Sequence, residues 1–162
     1  MTFPHLIENL DYWLSIEHDE KWYINMKNSQ LSDKVELKLM AINNAQNDAN
    51  HFVQYVEYPR EKFDFIFIDG KLRNDCLRKS LELLSPESIV ILHDANRVNY
   101  HQELSKFKFS VLFSDHRKDY AGIWIGSNSI SIENILDVKK HKSIWKKHYF
   151  FSKIFRPHLW LK

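Results

Sequence analysis

Lys62-Phe-Asp-Phe-Ile-Phe-Ile-Asp-Gly-Lys71, followed further along by Ser88-Ile-Val-Ile-Leu-His-Asp94, decides how this chain is read. Each is an apolar run without polar alternation that ends in a carboxylate. Such runs form the strands of open α/β sheets that are covered on both faces, and the carboxyl ends of those strands face the ligand crevice. The pattern predicts two buried strands with Asp69 and Asp94 side by side at one sheet edge. Gly70, Gly122 and Gly126 are the three glycines of the sequence, so nothing ahead of the first strong strand can form a glycine-rich nucleotide loop.

Between the two runs, Leu77, Ser80, Leu81 and Leu84 recur at helical spacing and predict a helix over 72–84, ended by Ser85-Pro86 before a strand Ser88–Leu92. Strand, helix and strand with short links make a right-handed parallel crossover. Downstream, 98–107 reads as helix. Phe109–Phe113 and Tyr120–Ile125 read as strands of an antiparallel hairpin, joined through a polar turn at Asp115–Asp119. Upstream, Asp11–Glu17 reads as a short strand and His18–Lys27 as a helix opened by acids that suit its dipole. Lys34–Leu39 alternates like an edge strand, Asn43–Asn50 is a polar loop, and His51–Tyr58 is a short helix stopped by Pro59.

With 162 residues, 44% of them apolar, the chain is long enough for one well-buried domain and too short for two of ordinary size. The expected division is an α/β domain over 1–127 and a tail over 128–162. A single cysteine, Cys76, excludes an intramolecular disulfide framework and fits a reducing, cytoplasmic setting. No apolar run approaches the roughly 20 residues of a membrane span. The net charge of +2 hides a segregation: residues 1–138 hold 15 Lys and Arg against all 21 acids, while 139–162 hold seven Lys, Arg156 and no acid.

The order of elements resembles the class I methyltransferases that use S-adenosylmethionine, a Rossmann-like family, entered at its second strand. Ser15-Ile-Glu-His-Asp-Glu-Lys-Trp-Tyr23 looks like the second strand with its terminal acid. The runs ending at Asp69 and Asp94 resemble the fourth and fifth strands, and the closing hairpin resembles the antiparallel sixth and seventh. More narrowly, Asp69-Gly-Lys-Leu-Arg-Asn-Asp-Cys76 and His93-Asp-Ala-Asn-Arg-Val-Asn-Tyr100 look like a branch carrying Asp-Gly-x-x-Arg-x-x-Cys and His-Asp-x-x-Arg-x-x-Tyr. The likeness covers roughly residues 10–126.

What the resemblance implies is methyl transfer to a hydroxyl-type small-molecule or glycan acceptor. Glu17 takes the place of the acid that binds the cofactor's ribose, Asp69 lies near methyl and acceptor, and His93 with Asp94 assists deprotonation. Related catechol O-methyltransferase-like enzymes hold magnesium with acids after these two strands plus an adjacent Asn; Ala95 stands there in this chain, so no metal is expected. The family's central first strand and glycine loop are missing, and residues 1–10 resemble the back half of the helix that follows that loop. Its absence would expose two edges or force the second and fourth strands together. Unpaired buried amides cost roughly 1–3 kcal/mol each. An N-terminally truncated chain, a differently closed sheet, or completion by partner edges in an oligomer would each remove that cost. The other class of reading is a non-catalytic remnant that binds a protein or membrane surface.

No two of the nine histidines lie three or four apart, and one cysteine cannot supply a zinc cage. Arg73 and Arg97 suit either an anionic ligand or structural pairing with the strand-end acids, and Tyr100 reads as packing. In the tail, lysines interleave with Ile144, Trp145, Phe151 and Phe155. The aromatics either dock on the domain or place 139–162 on an anionic membrane surface, a membrane-peripheral location. Nucleic acid is disfavoured, because the acidic body would repel a phosphate backbone.

Overall fold

The computed structural model describes residues 9–29, 32–41, 49–114 and 121–155. The chain divides into two compact units, Met1–Pro59 with Gly70–Leu72, and Arg60–Asp69 with Arg73–Lys162. The architecture is mixed α/β. Among the described residues no helix is long and apolar enough to cross a membrane.

In the first unit, β1 (Trp13–Glu17) pairs in parallel with β2 (Val35–Leu39), in register from Trp13 with Val35 to Glu17 with Leu39. Parallel pairing needs a crossover, and α1 (Glu20–Lys27) supplies it. Asp19 starts that helix by accepting hydrogen bonds from the Lys21 and Trp22 amides at 2.8 and 3.1 Å. On β2 the alternation places Glu36 in solvent, where the Tyr12 and Tyr58 hydroxyls donate to it at 2.7 and 3.0 Å and lower its pKa. The helix α2 spans Ala49–Glu57, so the predicted loop reaches no further than residue 48, and 43–48 lie outside the described residues.

The second unit holds β3 (Phe63–Ile68), α3 (Arg73–Leu83), β4 (Leu84–His93), a 3₁₀ turn (Val98–Tyr100), α4 (His101–Leu104), β5 (Phe109–Phe113), β6 (Ile123–Ser127), α5 (Ile132–Ile135) and α6 (Val138–Phe155). Its sheet runs β3-β4-β6-β5, with β3 parallel to β4 and the other pairs antiparallel. Successive side chains point to opposite faces. One face therefore takes Ile68, Val90, Leu92 and Trp124 against Leu77 and Leu104, and the other takes Phe113 and Ile125 against Ile132 and Val138. Phe107 meets the Trp124 indole edge-to-face with centroids 4.8 Å apart. Gly126 makes room for that ring, since a Cβ there would lie 2.1 Å from it. Burying Leu77, Val90 and Leu92 completely stabilises the fold by about 1.5–3 kcal/mol each.

Three expectations shift. The strand β4 starts at Leu84, directly from the helix, and absorbs Ser85-Pro86 as an irregular segment. Pro86 has no amide to give a ladder, Glu87 has φ 63°, and the register jumps between Phe63 and Phe65. The last strand begins at Ile123 instead of Tyr120, because Ala121 and Gly122 accept from the Asn96 and Ala95 amides after β4; the turn Asp115–Asp119 lies outside the described residues. Finally, β3 is not buried on both faces. Among the described residues it is an edge strand, Phe65 and Phe67 are exposed, and the layer carrying Ile132 and Val138 covers β5 and β6 instead.

Candidate active site

Parallel pairing of β3 with β4 brings two chain reversals to the same edge of the second unit's sheet. Asp69 follows the last residue of β3, His93 is the last residue of β4, and Asp94 follows it with φ 55°. That left-handed conformation is tolerated by Asp better than by most side chains. It lets the chain turn away from the ladder immediately after His93.

The imidazole crosses between the two strand ends. His93 Nδ1 lies 2.7 Å from Asp69 Oδ1 and 3.7 Å from Asp94 Oδ1. A carboxylate only accepts, so Nδ1 carries a proton, and in the neutral ring Nε2 holds the lone pair. Nε2 has no hydrogen-bond partner among the described residues, and the His93 side chain is 43% exposed.

Beneath this pair lies Arg73, the first residue of α3, with its side chain only 11% exposed. Nη1 donates to the His93 carbonyl at 2.6 Å and stands 3.3 Å from Asp94 Oδ2. Nη2 donates to the Asp69 carbonyl and carboxylate at 2.9 and 3.1 Å. One guanidinium thus ties both strand ends and both carboxylates together. Arg97 adds a second cation 3.5 Å from Asp94 Oδ2 and donates to the buried Tyr100 hydroxyl at 3.1 Å. The sequence left Arg73 and Arg97 between two roles; their spacing after the acids was the signal, and the geometry realises it as ion pairing.

Asp69, His93 and Asp94 each offer a ligand atom within 4.8 Å of the others, a donor set that a divalent cation can use. In this arrangement Arg73 already supplies the positive charge to both carboxylates. The Cys76 thiol nearby in sequence is no nucleophile at neutral pH, because burial and the Asp75 charge push it up to about 11.

Glu17 ends β1 in the first unit. Its Oε1 accepts from the His18 and Asp19 amides at 2.7 and 2.8 Å and lies 3.0 Å from His18 Nδ1. Oε2 has no hydrogen-bond partner among the described residues. The carboxylate is therefore held by its own turn with one oxygen to spare.

No protein-family model and no curated protein matches the chain. Among solved structures it resembles a methyltransferase-like protein from Silicibacter pomeroyi, with 16% identity, a TM-score of 0.50, and coverage of 80% of this chain and 75% of that one. The likeness is one of fold: a methyltransferase-like α/β arrangement.

Proposed function

We propose that the chain is a methyltransferase-like protein whose β3 and β4 strand ends take a proton from a hydroxyl-bearing acceptor, a small molecule or a glycan. The observation that carries this reading is the Asp69–His93 pair, a half-exposed carboxylate fixing an imidazole whose other nitrogen has no partner among the described residues. Proton abstraction by a positioned imidazole contributes typically about 10²–10⁴-fold to rate. Asp69 sets the tautomer and stabilises the imidazolium, while Arg73 and Asp94 hold both strand ends in place.

S-adenosylmethionine would supply the methyl group, and Glu17 is the residue of this chain suited to its ribose, with Oε2 open to a hydroxyl. The methionine end finds no cradle in the glycines: a Cβ on Gly70 would meet the Tyr55 hydroxyl at 2.2 Å, and one on Gly122 would meet Asn96 Oδ1 at 2.3 Å, so both serve internal packing. The resemblance puts β1 and β3 in the places of the family's second and fourth strands. Each pairs on one side only among the described residues. The test is transfer of labelled methyl from S-adenosylmethionine to hydroxyl-bearing acceptors, with His93→Ala lowering the rate by about 10²-fold or more. Transfer undiminished in His93→Ala would remove the imidazole from the reaction.

The filled glycines favour a second reading, a non-catalytic remnant of such an enzyme. It predicts a folded protein that takes up no S-adenosylmethionine.

A further inference from the structure

The helix α6 separates charge from aromatic surface along its length. Lys139, Lys140, Lys142, Lys146 and Lys147 are exposed in its first ten residues. Tyr149, Phe150, Phe151 and Ile154 are exposed in its last seven, Phe150 and Phe151 by more than half. The start of the helix is anchored through buried Val138 and a ring contact between His141 and Phe113.

We infer that α6 binds an anionic lipid surface, its aromatic end entering the headgroup boundary and its lysines contacting the headgroups. Helical residues are about 100° apart in projection, so Tyr149, Phe150 and Phe151 point in three directions around the axis. Lipid surrounds an inserted helix end and accepts rings in all three directions. Rings with a polar margin suit the boundary itself, and each lysine near an anionic surface adds to the attraction. Residues 139–162 carry seven Lys, Arg156 and no acid, which opposes pairing with the same segment of a second copy. The acidic balance of residues 1–138 opposes a nucleic acid lying along the body. The inference stands whether or not methyl transfer occurs.

The test is co-sedimentation of the full chain with vesicles of phosphatidylcholine alone or with 30% phosphatidylserine (a composition on the order of a cytoplasmic leaflet). Recovery is expected to rise about tenfold with phosphatidylserine, and to fall several-fold in both F150S/F151S and K146Q/K147Q, variants confined to exposed positions. Circular dichroism checks that both stay folded. No recovery on the anionic vesicles would overturn the inference. So would binding that F150S/F151S leaves unchanged, or capture by a single-stranded oligonucleotide that exceeds capture by vesicles.

Discussion

His93 pairs with Asp69, 24 residues away, at 2.7 Å, and stands 3.7 Å from Asp94, its neighbour in sequence. The imidazole tautomer therefore depends on Asp69. In ¹⁵N spectra His93 is expected as the Nδ1–H form, and Asp69→Asn is expected to redistribute it while Asp94→Asn leaves it in place. Equal effects from the two variants would contradict this division of roles.

Arg73 joins both strand ends, so its loss leaves two carboxylates facing each other with one cation fewer. Arg73→Ala is expected to destabilise the fold by about 3 kcal/mol, measured by urea unfolding. Arg73→Lys recovers little of it, since an ammonium cannot fork between the Asp69 and His93 carbonyls. Full rescue by lysine would show that charge alone matters.

Glu103 gives the second unit an acid limb. Burial would raise its carboxyl pKa, but hydrogen bonds from Lys106 and Arg78 at 2.7 and 2.9 Å outweigh burial and hold it below the ordinary 4.5. A carboxyl depressed on folding stabilises above its unfolded pKa, and that contribution is lost as pH falls through the folded value. Wild type is thus expected to lose stability below about pH 4.5, and Glu103→Gln to lose less over the same range. Parallel pH profiles would remove Glu103 from the linkage.

The Cys76 thiol, raised from 9.0 to about 11, is expected to react with Ellman's reagent at pH 8 about 100-fold more slowly than in denaturant. Equal rates would mean that burial does not protect it.

The pairing of β3 with β4 and of β5 with β6 was legible because long apolar runs, a helical stripe at Leu77 and Ser80, and short links leave few arrangements. Asp69 and Asp94 followed from strand-end position alone. The partner of His93 was not legible: it depends on the left-handed turn at Asp94, which sequence spacing does not encode. Arg73 carried a visible spacing signal, but only side-chain geometry separates a bridge to two strands from a local pair. The exposure of Phe65 and Phe67 was hidden for another reason. An apolar strand reads the same whether its neighbours cover it or leave it at an edge.

Calorimetric titration of the folded chain with S-adenosylmethionine asks whether this methyltransferase-like fold takes up the methyl donor. Saturable binding is expected, weakened about tenfold or more by Glu17→Ala, as the loss of a charged hydrogen bond implies. Absence of binding heat from protein shown to be folded would overturn the proposed methyl transfer.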